Sequence, residues 1–360
     1  MRAGHHATPT ILRIRRSFMR RELQIENAAL HLPYAWDDLS DTYFQRKAFL
    51  QHTEEYNPCD QRYYLWYRDG ELQAGAIAYS LRLDLLTFLR IRSPFRMNII
   101  GIPCSVSSPG IFGKEEAVQT LKQEIYQREK GFCLFLNLPQ QMEAPGKVAG
   151  ETLPTIIFRN PFSTWSDYLE GLRTHYRRRL KRIWQKAKSL QIEQLSCRDF
   201  TREMHELYLQ VYRQSKDKLE KLDQAFFQHL PSNFKLIVAR KADQLLGWVI
   251  TLEDNDQYYF FLGGIDYRLN RTYNTYFLLL TTIIKDGIEQ GADLIDLGQT
   301  AEIPKMRLGG YREKRYLEGR HRHPLVQRLL QAGQSWLVYQ REVPETHVLK
   351  QAYEYSSGTT

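Results

Sequence analysis

Residues 258–310 read YYFFLGGIDYRLNRTYNTYFLLLTTIIKDGIEQGADLIDLGQTAEIPKMRLGG. Tyr258 to Leu262 is aromatic and apolar, as a buried strand requires, and Gly263 and Gly264 close it. Tyr276, Leu280, Ile283, Ile284 and Ile288 recur at helical spacing with further apolar residues between them, which predicts a largely buried helix. Asn270 or Asn274 can cap its start, and Gly291 suits its end. Leu294 to Leu297 returns as a strand, so the order is that of a parallel pair with a helical crossover. The polar stretch before the helix carries Arg268 and Arg271, so cations and unpaired helix N–H groups converge there, an arrangement that favours phosphate or another anion.

Around this stretch lies a chain of 360 residues, long enough for two domains. A hydrophobic fraction of 42% and a charged fraction of 25% are those of a globular protein rather than a disordered one. The net charge of +9 favours anionic partners without choosing among nucleotide, nucleic acid and acidic membrane. The four cysteines form no C-x-x-C pair, which argues against a disulfide framework or a zinc site and for a reducing compartment. No run approaches the roughly 20 apolar residues that span a bilayer. The arginine-containing N-terminus lacks the apolar core of a secretory signal, so a cytoplasmic location is expected.

The first half carries a similar plan. Tyr63 to Leu83 predicts a hairpin about Asp69-Gly70, Phe95 to Ile102 a strand, Glu115 to Lys130 a helix, and Phe132 to Leu138 a strand. Leu39 to Gln51 reads as a further helix. Glu71 to Ala76 and Asp243 to Trp248 correspond, as do the helices closing at Gly131 and Gly291, so the halves read as an internal duplication. Between them, Trp165 to Leu190 reads as one helix whose apolar stripe is flanked by eight arginines and lysines. That cluster fits phosphate, because each guanidinium can donate two parallel hydrogen bonds, or is simply a solvated face. Leu325 to Tyr339 predicts an amphipathic helix that can pack on the domain, join a partner or lie on a membrane. No dinucleotide fingerprint, P-loop, G-x-S-x-G or H-E-x-x-H pattern is present.

The run Phe260–Gly264, with Asp266, Asn274, Tyr276, Gly291, Leu297-Gly298, Lys305 and Gly309, resembles the C-terminal half of GNAT-like predicted N-acyltransferases related to the Fem-type peptidoglycan aminoacyl transferases. The resemblance implies an α/β (α+β) fold of two tandem GNAT-like acyltransferase units with a cleft between them. The units would cover residues 1–160 and 161–324, the second beginning with the basic helix 165–190, and residues 325–360 would form the amphipathic helix and a loose tail. It implies an N-acyltransferase that moves an acyl or aminoacyl group from an activated donor, acyl-CoA in the first instance, to a small-molecule or cell-envelope amine, with no metal. The strand Phe260–Gly264 would supply a backbone N–H to the developing oxyanion, and glycine there allows close approach. Gly263, Gly264, Arg268, Arg271, Asn274 and Tyr276 are the expected donor-binding residues, although Asn274 can equally be a helix cap. Lys305 is expected to stabilise the oxyanion or an anionic substrate. Asp266, Asp296 and Tyr259 are the candidate proton acceptors, and Asp296 can instead hold a structural network. The acetyltransferase glycines between strand and helix are missing from Tyr267–Asn274, which leaves an altered acyl-CoA site, an aminoacyl-tRNA or an acyl carrier protein as donor. Two other readings stand beside this one: a non-catalytic protein binding tRNA or other nucleic acid, and an envelope-assembly factor touching the membrane peripherally.

Overall fold

Asp69 and Gly70 both take positive φ, as a two-residue hairpin turn of this hand demands, and the register Arg68↔Glu71 follows. In the computed structural model, which describes residues 21–82, 96–104, 106–141, 145–215, 220–344 and 346–353, this hairpin is the centre of the first half. That half runs β1 (Arg21–Glu26), α1 (Tyr34–Leu39), α2 (Lys47–Tyr56), β2 (Arg62–Arg68), β3 (Glu71–Arg82), β4 (Arg96–Ile100), β5 (Ile111–Gly113), α3 (Glu115–Arg128), β6 (Phe132–Leu138) and β7 (Val148–Arg159). The second half follows as α4 (Trp165–Gly171), α5 (Thr174–Lys186), β8 (Gln191–Ser196), α6 (Arg202–Gln214), α7 (Gln224–Gln228), β9 (Phe234–Lys241), β10 (Gln244–Asp254), β11 (Gln257–Ile265), α8 (Tyr267–Tyr273), α9 (Thr275–Glu289), β12 (Leu294–Asp296), α10 (Glu302–Met306) and β13 (Tyr311–His321). Two short helices, α11 (Pro324–Ala332) and α12 (Gln334–Leu337), follow β13.

The fold is mixed α/β, built on one continuous sheet of order β1-β2-β3-β4-β6-β13-β7-β12-β11-β10-β9-β8, with β5 beside β3. This order is nearly a palindrome. Each half lays down four antiparallel strands, then a helical crossover to a parallel strand: β4 with β6 around α3, and β11 with β12 around α9. The next strand of each half then pairs with the opposite half. β7 lies against β12, β13 lies against β6, and the two pair with each other. Residue 160, the expected end of the first unit, therefore follows a strand whose partners belong to the second half.

The halves also share side chains. Trp36 and Phe49 from α1 and α2 fill one core cluster with Phe226, Trp248 and Phe261 of the second half. Glu318 of β13 is buried and ion-paired with Lys122 of α3 and with Lys147, both at 2.6 Å. A second cluster lies on the other side of the second half's sheet, where α9 contributes Leu279, Leu280, Ile283 and Ile284.

Several local expectations change. The helix expected over 39–51 is instead α1, a 3-10 turn and α2, because Pro33 and the capping contacts of Gln45 at Asp41 and Thr42 start new turns. The basic helix is broken: Gly171 ends α4, and the N–H and Nε of Arg173 donate to Val348 and Leu349 before α5 begins. The polar stretch after Gly264 is the helix α8, and β11 continues through the glycines to Ile265.

Candidate active site

β11 runs beside β12 for only three residues, Gln257↔Leu294 through Tyr259↔Asp296. Beyond them its ladder with β10 slips between Ile250 and Thr251, which pair with Leu262 and Phe260 and leave Phe261 as an extra residue. A bulge of this kind bends its strand and increases the local twist, so β11 turns away from β12. From Phe260 to Ile265 it keeps β10 on one side, and among the described residues no strand pairs with the other. Phe260, Leu262 and Gly263 are half-buried along that edge. In the first half β4 is paired with β6 to its last residue, Ile100, so the equivalent opening is not formed there.

One end of the edge meets the turn after β12. Gly298, Thr300 and Ala301 all have positive φ, a conformation that is costly for the two non-glycine residues and is found where a site is held in a fixed shape. Lys305 of α10 reaches back under this turn. Its side chain is buried and donates to the carbonyls of Gly298 at 2.9 Å and Gln299 at 2.6 Å. Its Nζ also lies 5.5 Å from the centre of the Phe260 ring. Burial lowers its pKa to about 7 against the opposing pull of Asp296 and Glu302. An ammonium has three N–H donors, so below that pH one remains after the two carbonyls are served.

Asp296 is at the same end but is engaged. Its carboxylate accepts from Thr155 Oγ1 at 2.6 Å, from its own turn at Gly298 N at 2.7 Å, and from Ser107 Oγ of the first half at 2.8 Å. The structural alternative for this residue is thus the one the geometry displays. Gln299 adds a parallel tie, its Nε2 donating to Asn137 Oδ1 at 3.0 Å and to the Leu153 carbonyl at 2.6 Å. Tyr259 is buried edge-on against Phe44 and hydrogen-bonded to Gln257. Burial, assisted by Asp296, pushes its phenol well above the ordinary range, as in a core tyrosine.

The other expected residues gather at the far end of the edge. A Cβ added to Gly264 would lie 2.5 Å from Trp248 Nε1 and 2.9 Å from the Tyr208 nitrogen, so this glycine is needed for close approach within the core. Gly263 faces the opposite side, against Val249. Asp266 caps α8, accepting from the N–H of Arg268 at 2.8 Å and of Leu269 at 3.4 Å, and it pairs with the Arg268 guanidinium at 3.1 Å. Burial would raise its pKa, but these contacts outweigh burial and lower it. The side chain thus caps α8. Arg268 is tied to it, while Arg271 is exposed. Asn274 takes a left-handed conformation between α8 and α9 with no side-chain cap, and Asn270 caps α9 instead, accepting from Tyr276 N at 3.0 Å. Tyr276 is half-buried in the second core cluster.

A different set of cations flanks the first turns of α9. α5 runs beside it, with Trp184 Nε1 donating to Thr281 at 3.3 Å and the Arg179 guanidinium 5.3 Å from the centre of the Phe277 ring. Burial, then the nearby Arg307 and Arg182, lowers the pKa of Arg179. Crowded like charges of this kind are relieved by an anion. Arg179 belongs to the basic cluster that the sequence reads as fitting phosphate, whereas Ser107, Thr155, Gln299 and Arg307 are not among the expected site residues. Only the Asp296-x-Gly298 spacing, that of a side chain accepting from the backbone two residues on, carried a local signal. Among the described residues no group of three or more His, Cys, Asp or Glu side chains is placed to hold a metal.

Residues 171–315 match the acetyltransferase (GNAT) domain. Outside this GNAT match the likeness is structural. The crystal structure of FemX aligns with 87% of this chain and 100% of its own at 12% identity and a TM-score of 0.51. A tandem GNAT protein from the clavulanic acid biosynthesis pathway aligns with 84% of this chain and 98% of its own, at 8% identity and a TM-score of 0.47. The C-terminal domain of a putative lysylphosphatidylglycerol synthetase from Agrobacterium fabrum aligns over 72% and 85% respectively, at 11% identity and a TM-score of 0.45. No curated protein sequence matches the chain. The expected resemblance to GNAT and Fem-type proteins, and the expected fold class, agree with these findings.

Proposed function

We propose that the protein is an N-acyltransferase whose activated donor lies along the open edge of β11. The observation that carries this reading is the edge itself: six residues, or about 20 Å at the ordinary rise per residue, with the buried Lys305 beside Phe260 at its start and Arg179 and Arg307 close to each other by the first turns of α9. A donor with an anionic handle would place the handle beside Arg179, Arg307 and the first turn of α9, and its carbonyl near Phe260 and Lys305. The amine then attacks the carbonyl, the C–N bond forms, and the C–S or C–O bond to the carrier breaks. Unpaired N–H groups of β11 and the Lys305 ammonium stabilise the oxyanion on the way. The amine's surplus proton leaves through solvent, since Asp266, Asp296 and Tyr259 are committed to structural contacts.

An acyl-CoA is the first donor to test, and an aminoacyl-tRNA or acyl carrier protein the next. Each presents a phosphorylated handle. The acceptor is an amine, either a small molecule or one carried by a cell-envelope precursor. Titration of the purified protein with each donor, followed by turnover with amine acceptors, tests the reading. Arg179→Gln with Arg307→Gln should weaken donor binding by about tenfold or more, as the loss of charged hydrogen bonds does. Arg268→Ala with Arg271→Ala should change it less, because Arg268 is occupied by Asp266.

The exposed basic face of α5 favours one second reading, nucleic-acid binding without catalysis. It predicts RNA affinity that falls steeply with salt and no acyl turnover from any donor.

A further inference from the structure

The helix α11 carries apolar residues on two sides. Val326 and Leu330 are half-buried toward the protein, and Gln327 is buried between them. Gln327 fixes the helix in place, accepting from the His321 N–H at 2.7 Å and donating to the Gly146 carbonyl at 3.0 Å. With that side tied down, Leu325 and Leu329 stand one turn apart on the outer side, 63% and 73% exposed. Leu337 of α12 is 37% exposed beyond them. Two leucines this open on a helix anchored by a glutamine are costly in water, and something other than the protein's own core is expected to cover them.

The surroundings select the cover. From Arg320 to Arg341 the chain has four arginines and two histidines and not one acidic residue. Arg320, Arg322, His323 and Arg328 are all exposed around the leucines. Among the described residues no helix is long and apolar enough to cross a membrane. A short helix with outward leucines and a cationic rim has the chemistry of an interfacial anchor, with leucines entering the acyl boundary and arginines at the headgroups. We propose that α11 docks the protein on an anionic lipid surface.

The test is co-sedimentation of the full-length protein with vesicles of phosphatidylcholine alone and of equal parts phosphatidylcholine and phosphatidylglycerol. The unaltered protein should sediment with the anionic vesicles and not with the neutral ones. The double variant Leu325→Ser with Leu329→Ser should lose this binding by about tenfold or more, with no fall in melting temperature, since both side chains lie outside the core. Arg322→Gln with Arg328→Gln should weaken binding and flatten its salt dependence. Failure of the unaltered protein to bind anionic vesicles would overturn the proposal, as would equal binding by the leucine variant. If light scattering shows a dimer that the leucine variant dissolves while vesicle binding is nil, the leucines serve self-association and the proposal is wrong.

Discussion

Lys305 links the environment of one side chain to a pH profile. Its ammonium is the dominant form below about pH 7 and the neutral amine above it. If the ammonium stabilises the oxyanion, kcat/KM should fall as pH rises through about 7, and the profile of the Lys305→Met variant should lose that inflection. The same variant should lose about a hundredfold in kcat, the usual effect of removing one such donor. Its melting temperature should not drop much. A buried, desolvated charge contributes little net stability, and Gly298 and Gln299, whose carbonyls it serves, are half-buried residues of a turn rather than of the core. A large drop in stability with little change in rate would assign Lys305 to the fold alone. Gly264 makes the opposite case. Gly264→Ala should destabilise by about 1–3 kcal/mol through overpacking. The new methyl would press on the Trp248 indole, whose Nε1 donates to the Met204 carbonyl at 2.8 Å, and urea denaturation would measure the effect.

At the level of elements, the sequence exposes those whose causes are local. The β2–β3 hairpin follows from Asp69-Gly70, α3 from its apolar stripe and Gly131, and α9 from its continuous apolar run. β7 and β13 were not anticipated. Pro154 interrupts the one, and the other reads YREKRYLEGRH, which has the charge of a surface segment. β13 is nonetheless internal to the sheet, where Glu318 finds Lys122 and Lys147, 196 and 171 positions away in the chain. No window of sequence shows that pairing. The site divides in the same way. Lys305 and the Phe260–Gly264 edge carry a family pattern, whereas the three donors that hold Asp296 come from three separate segments. Asp296→Ala should loosen this turn and cost about 1–3 kcal/mol by leaving its donors unmatched, measurable as faster amide exchange at Gly298.

For the molecule as a whole, Glu318 is the charge on which the exchange of strands depends. Burial would raise its pKa, but the two lysine hydrogen bonds outweigh burial and hold it below its ordinary 4.5. Its contribution is therefore present above that pH and lost as pH falls through the folded-state value. Glu318→Ala strands two lysines beneath the sheet and should cost about 3–5 kcal/mol, whereas changes at exposed pairs such as Arg128–Glu124 should be nearly silent in the same melts.

The exchanged strands also set a timetable for biosynthesis. As the nascent chain leaves the ribosome, β6 can pair with β4 but cannot meet the neighbour on its other side until β13, some 170 residues later, has been translated. Until then the amino-terminal half exposes a naked strand edge, a template for misassociation that a chaperone would be needed to shield.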